Sequence, residues 1–391
     1  MTDSPKRRVF VVCDSYPPVL GGSEIEAQRV AAGLIARGHQ VRVLCSGGGP
    51  MPKVEDWVDP LGIPVSILTG DSTGVQKDRA FAAGVAWNLL KRHHEYDIAY
   101  FLMQGLHLAA GLPTARALGK TTVMKISGDG IITTMKKSRL GRLELDWLLK
   151  WRVPVMLLNE NMMREAESAG FPRKQLVWMP NPVEIDKFRP AAPAEATRWR
   201  VDHGIPPDTF CVIYTGRLSH EKGLRELFQG FAGMLPKVPD ALVLLVGDGP
   251  MRAELEAFAA ELGIADRIRF IGRVPLMEVP FWLRASDVFA LTSPNEGFSC
   301  SLLEAMASGL PSVVTDIPAN RQLVEDGVEG ITPPYNEFSQ ISAALEKLAT
   351  DRECRRAMGA AARRTAEKYS TDSVIDRYEA LFTSAVAGLP L

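Results

Sequence analysis

The sequence predicts an α/β protein made of two doubly wound parallel-sheet domains, and three observations carry the prediction. The chain has 391 residues, more than one core comfortably serves, and two domains of roughly 150–200 residues are the natural division. Apolar runs of strand length alternate with longer stretches of helical period, the rhythm of strand–helix–strand units. That rhythm breaks at the Pro-rich segment "LVWMPNPVEIDKFRPAAP" and then restarts. The segment places a hinge near residues 180–195. Residues 1–185 and 186–371 form the two expected domains, with the last helix, 372–388, expected to pack back on the first.

In the first domain "RVFVVCD" is continuously apolar, as a strand covered on both faces should be. "SYPPVLGGSE" is a Gly-rich turn, and "EAQRVAAGLIARGH" sets Ala27, Val30 and Leu34 at helical spacing before Gly38 stops the helix. "QVRVLCS", "YDIAYFLM", "TTVMKIS" and "VPVMLLN" read as further strands, with helices such as 106–118 between them. Right-handed crossovers make the sheet parallel. The second domain repeats the scheme. "FCVIYTGRL", "ALVLLVGDGP", "IRFIGRV", "DVFALTS" and "PSVVTDI" are strands, and 221–235, 250–262, 277–285 and 299–308 are helices. Ligands of such sheets bind beyond the carboxyl ends of the strands, so the expected site is a cleft between two facing domains.

Bulk properties exclude several classes. With 45 basic and 46 acidic residues the chain is no polycation for nucleic acid. Five scattered cysteines without a CxxC pair argue against a disulfide framework or a zinc site and fit a reducing cytoplasm. The run "VFVVC" is too short for a signal-peptide core, and no apolar stretch reaches the ~20 residues that span a bilayer. The expectation is a cytoplasmic protein, at most peripheral at the inner face of a membrane.

Four strand ends carry candidate chemistry, each with a plain alternative. Gly21 and Gly22 let backbone N–H groups approach a phosphate at a helix start, or simply make a flexible turn. In "TGRLSHEKGL", Gly216 opens a loop holding Arg217 and Lys222, which can neutralise a departing diphosphate or be solvated surface cations. "LLVGDGPMRAELE" turns at Gly247, but Arg252 stands where a third glycine belongs, which disfavours a dinucleotide fold. "FIGRVP" places Arg273 and Val274 where backbone could read a base edge, or where a plain turn would lie.

The stretch "EGFSCSLLEAMASGLP" sets Glu296 in a loop and Glu304 in a helix, with Phe298, Ser299, Cys300 and Ser301 between them. Ser299 and Ser301 suit a helix cap, and free N–H groups there suit a phosphate. A hydrolytic carboxylate pair must flank one bond at ~5–9.5 Å. A loop glutamate and a helical one across a phosphate site better suit two hydroxyl-bearing ends of one ligand.

Together these residues resemble the retaining glycosyltransferases of the GT-B fold, specifically glycosyltransferase family 4. The likeness covers essentially the whole chain. It is most specific in "GRLSHEKG", "LLVGDGP", "FIGRV", "DVFALTSPNEGFSCSLLEAMASGLPSVVTDI" and "LVEDGVEG", which occur in order at the family's separations. The resemblance implies sugar transfer with retention from a nucleotide-diphosphate sugar, a UDP-sugar by family prior, to a glycan, lipid-linked or small-molecule hydroxyl. Glu296 would hold sugar hydroxyls and Glu304 the ribose. Arg217 and Lys222 would grip the diphosphate, assisted near Gly22 and Ser299–Ser301, and the Arg273–Val274 loop would hold the base. No cofactor is expected, and the absence of a DxD motif fits metal-independent chemistry.

The family's "THG"-like stretch is replaced here by "MKISGDG", which leaves Lys125, Ser127 and Asp129 as acceptor-side candidates. "PAN" after Ile317 likewise replaces a Gly-rich turn. The segment "TTMKKSRLGRLELDWLLKWR" mixes Lys136, Lys137, Arg139, Arg142, Lys150 and Arg152 with Leu143, Trp147, Leu148 and Trp151. It reads either as a membrane-surface element within 136–152 or, preferably, as an ordinary amphipathic helix. The competing functions are a non-catalytic two-lobed sugar or nucleotide binder and a glycosidase using Glu296 and Glu304.

Overall fold

A computed structural model describes residues 5–19, 21–47, 51, 55–69 and 74–388; Leu20 of the Gly-rich turn lies outside the described residues. The chain forms two compact units, one from Met1–Pro182 with Thr371–Leu391 and the other from Val183–Ser370. Their border, Pro182/Val183, lies in the Pro-rich segment.

The first unit contains β1 (Arg8–Cys13), α1 (Gly22–Ala36), β2 (Gln40–Cys45), β3 (Asp56–Val58), β4 (Pro64–Ile67), α2 (Gly74–Lys91), β5 (Ile98–Leu102) and α3 (Leu106–Ala117). It continues through β6 (Thr121–Lys125), α4 (Ile131–Lys137), α5 (Arg139–Lys150), β7 (Val155–Leu157), α6 (Glu160–Ser168) and β8 (Leu176–Trp178). Among the described residues its sheet runs β3-β4-β2-β1-β5-β6-β7-β8. Every neighbouring pair is parallel except β3/β4, an antiparallel edge that the sequence reading does not contain.

The second unit contains α7 (Pro193–Asp202), β9 (Cys211–Thr215), α8 (Leu224–Met234), β10 (Leu242–Val246), α9 (Arg252–Glu261), β11 (Ile268–Gly272) and α10 (Val279–Arg284). It continues with β12 (Val288–Leu291), α11 (Cys300–Ala307), β13 (Ser312–Val314), α12 (Pro318–Arg321), β14 (Gly330–Ile331), α13 (Phe338–Thr350) and α14 (Arg352–Glu367). Its sheet is parallel throughout, in the order β11-β10-β9-β12-β13-β14 among the described residues. The chain then returns to the first unit as α15 (Thr371–Ala387).

The cores follow from the patterns. Val9, Val11, Val43, Ile98 and Tyr100 of the first sheet meet Ala27, Val30 and Leu34 of α1, and α15 adds Val374, Ile375, Tyr378 and Phe382 to the same cluster. Each such large side chain contributes about 1.5–3 kcal/mol by leaving water. A buried polar knot sits within this packing. Lys125, at the end of β6, is wholly buried, paired with Glu26 of α1 and donating to Asn181 Oδ1 at 2.9 Å. The Tyr100 and Tyr378 hydroxyls meet at 3.0 Å, with the Lys125 ammonium 6.0 Å from the Tyr378 ring centre.

Candidate functional site

In the second sheet β10 and β11 lie to one side of β9, while β12, β13 and β14 lie to the other. The winding therefore reverses between β9 and β12, and ligands of open α/β sheets bind outside the strand ends at such a point. The loops leaving these two strands carry Lys222 and Glu296. They meet there, with Lys222 Nζ donating to Glu296 Oε1 at 2.8 Å and Ser293 Oγ donating to the same oxygen at 2.9 Å. The Glu296 side chain is 9% exposed and that of Lys222 is 26% exposed, so the pair is shielded on the carboxylate side.

Backbone clasps bring the loops together. Gly223 adopts φ 65°, and a Cβ there would lie 2.0 Å from the Thr292 carbonyl oxygen, so only glycine fits between the β9 and β12 loops. Thr292 Oγ1 in turn donates to the Gly223 carbonyl at 2.5 Å. Gly247 is equally constrained: at φ 139°, a Cβ would lie 1.9 Å from the Gly216 oxygen, which fixes the β10 turn against the β9 turn.

Arg217 is exposed and pairs with Glu221 at 2.5 Å. The Ser219 hydroxyl, and secondarily Arg217, hold the Glu221 carboxyl down at about 2. Arg273 is exposed and Val274 half-buried, in the loop after β11.

At α11, Ser299 is the N-cap and its Oγ accepts the Leu302 N–H at 3.2 Å. Ser301 does not cap; its hydroxyl meets that of Ser299 at 3.1 Å. Cys300 is half-buried, Phe298 is buried with its ring 5.8 Å from that of Tyr369, and Glu304 is buried on the helix. The structure thus joins Lys222 to Glu296 directly, while Arg217 pairs locally. Ser293 and Glu221, which sequence reasoning did not single out, complete these pairs.

In the first unit Gly21 caps α1 without a side-chain bond, and the Glu24 carboxylate lies over it, held by the hydroxyls of Ser15 and Ser23. Gly22 is exposed. Of the acceptor-side candidates, Lys125 is enclosed in the buried knot and presents no surface. Ser127 is half-buried, its Oγ shielded and without a partner. Asp129 accepts from Asn159 Nδ2 at 2.8 Å, and burial pushes its carboxyl above the ordinary range.

The segment 136–152 is two helices broken at Ser138, whose hydroxyl caps α5 by accepting the Gly141 N–H at 2.9 Å. Gly141, Glu144, Leu145 and Leu148 turn inward, whereas Leu143 is exposed and Trp147 stacks on Trp151 at 5.4 Å. Among the described residues no helix is long and apolar enough to cross a membrane.

HepE of Anabaena, solved in complex with UDP and glucose, superposes with a TM-score of 0.81 at 21% identity, over 97% of this chain and 100% of that one. The model for glycosyl transferases group 1 matches residues 195–365. Two parallel-sheet units of this kind define the class, a glycosyltransferase of the GT-B fold. The model for Glycosyltransferase Family 4 matches residues 20–187, so the two models between them span both units. The chain belongs to glycosyltransferase family 4.

It is 28% identical to the 2-deoxystreptamine glucosyltransferase of Streptomyces kanamyceticus, over 74% of this chain and 79% of that enzyme. It is 24% identical to the N-acetyl-alpha-D-glucosaminyl L-malate synthase of Bacillus anthracis, over 96% and 97% respectively. Against other curated relatives the match spans about half of their length.

Proposed function

We propose that the protein is a retaining hexosyltransferase. It moves a sugar from a UDP-sugar to a hydroxyl of a glycan, lipid-linked or small-molecule acceptor in the cytoplasm, without a metal ion. The observation that carries the reading is the Lys222–Glu296 pair, 2.8 Å apart at the switch point of the second sheet. A fixed ammonium there can take up charge developing on a departing diphosphate, and preorganised groups of this kind act strongly in a shielded site. Lys222 and Ser293 both hold Glu296 Oε1, which leaves Oε2 to accept from a sugar hydroxyl. Glu304 receives the ribose hydroxyls, Arg217 adds positive charge, and the Arg273–Val274 loop faces the base. The α11 N-terminus around Ser299–Ser301 supplies N–H groups to phosphate oxygens. The choice of UDP is supported by HepE, which was solved with it.

The test is incubation with UDP-, GDP- and ADP-sugars, following released nucleotide and the anomeric configuration of the product by NMR. UDP-sugars are expected to be consumed with retention. Lys222→Ala and Glu296→Ala are each expected to lower transfer by at least about 100-fold, the cost of losing one such preorganised group, with the circular dichroism spectrum unchanged. Wild-type rates in both variants, or an inverted product, would sink the reading.

A further inference from the structure

The second sheet ends on β14, separated by β13 from the strand whose loop carries Glu296. Between this edge strand and α13 lies a cavity of about 320 Å³. One wall is β14 with its flanking turns, and it presents Asp326, Ile331 and Pro333. The other is α13, which presents Ala343, Ala344 and Lys347. Residues spaced three and four apart share a helix face, so Gln340, Ala343, Ala344 and Lys347 look the same way. The two alanines lower that face between two long side chains, and the lowered stretch makes room for the cavity.

The charges and the apolar surface are separated by depth. Pro333 and Ala344 are buried and Ile331 is half-buried, whereas Asp326 and Lys347 are exposed. The acidic wall is fixed by its own backbone: Asp326 Oδ1 accepts the Thr332 N–H at 2.8 Å, and the Gly327 N–H donates to the Gly330 carbonyl at 2.8 Å. Asp326 Oδ2 is left over. Among the described residues neither Asp326 nor Lys347 enters an ion pair, with each other or with a third group. A single exposed charge of this kind is ordinary surface. Two opposite charges on facing walls of one cavity, each unneutralised, are a matched set.

A lone anion at Lys347 meets the repulsion of Asp326, and a lone cation at Asp326 meets that of Lys347. A ligand bearing both charges satisfies both walls with charge-assisted hydrogen bonds. The cavity is at the small end of the roughly 300–1,000 Å³ of small-molecule sites. Its floor accepts a short aliphatic group. We propose that this cavity binds a free α-amino acid with an aliphatic side chain, the carboxylate on Lys347, the ammonium on Asp326 and the side chain over Pro333 and Ala344. The site rests on no part of the transferase reading, and its test needs no sugar transfer.

The experiment uses the full chain and three probes of one carbon skeleton: L-leucine, 4-methylpentanoate without the ammonium, and 3-methylbutylamine without the carboxylate. Binding is followed by the methyl resonances of Ile331, assigned with Ile331→Val, and of Ala344. Leucine is expected to shift both. Each single-charge analogue is expected to bind at least about tenfold more weakly, for want of one charge-assisted hydrogen bond. Lys347→Met and Asp326→Asn are each expected to weaken leucine by a similar factor; asparagine keeps an oxygen for the Thr332 N–H, and Lys347 is exposed, so both variants should fold. The amine should be indifferent to loss of the lysine, or gain, and the acid likewise to loss of the aspartate. Unmoved methyl resonances, an analogue that binds as tightly as leucine, or leucine affinity unchanged in either variant would overturn the proposal.

Discussion

Exchanging Glu144 for glutamine removes one ionisable group and keeps an oxygen to receive the Gly105 N–H. Burial, opposed only by that single N–H, raises the Glu144 carboxyl from 4.5 to about 7. The folded chain therefore keeps this proton up to about pH 7, while the unfolded chain releases it near pH 4.5. Between those values the folded state binds more protons, and stability falls as pH rises. The gap from 4.5 to about 7 corresponds to about 3 kcal/mol at about 1.4 kcal/mol per pH unit. Glu144→Gln is exempt from that loss. The variant should match the wild type below pH 4.5 and exceed it by about 3 kcal/mol above pH 7. Urea denaturation at a series of pH values, followed by tryptophan fluorescence, measures the difference; Trp147 and Trp151 lie on and beside α5 and report on the right unit. A difference that stays flat with pH, or a wild type more stable than the variant in alkaline buffer, would refute the reasoning.

Two further outcomes follow from the same unit. Lys125→Met leaves Glu26 buried without its cation and should cost about 3–5 kcal/mol, whereas pairing it with Glu26→Leu should recover most of that loss in equilibrium denaturation. Because Leu145 and Leu148 of α5 face the core, the basic segment 136–152 should leave the protein in the supernatant when anionic liposomes are sedimented; pelleting that salt reverses would establish the membrane alternative.

The parts of the fold visible in the sequence are those written locally. β5 and β10 are unbroken apolar runs, and α1 carries buried residues at helical spacing, Ala27, Val30 and Leu34 among them. The three-residue strands β3 and β8 have no room to show a period, and β14 has two residues. Lys125 looks from sequence like a strand-end residue reaching toward a ligand. The four residues closing β6 are all buried, however, so that strand covers its last side chain along with the rest. Glu144 did leave a signal: it shares the inward side of α5 with Gly141, Leu145 and Leu148, and an acid on the apolar side of an amphipathic helix asks for a reason. What no local pattern could supply is the meeting of Lys222 with Glu296. They lie 74 residues apart, and only the adjacency of β9 and β12 brings their loops together.

That meeting changes how the two residues are understood. From sequence they have separate tasks, one on the diphosphate and one on the sugar. In the structure each is the other's partner, and a carboxylate 9% exposed beside an ammonium 26% exposed is held in place before any ligand arrives. Both donors to Glu296 use Oε1, so the carboxylate keeps its orientation, and under the proposed function Oε2 is the oxygen that would meet a sugar hydroxyl. Lys222 is the more exposed member and has three N–H donors, one of which serves Glu296. Under the proposed function the other donors can take a phosphate oxygen while the first keeps its hold on the carboxylate. Glu296 in turn keeps the ammonium fixed at the place where, under the proposed function, a departing diphosphate would develop its negative charge. A positioned cation costs little reorganisation at the moment of reaction. The switch-point pair is in this sense one device with two ends, assembled by the Gly223 clasp rather than by any single motif.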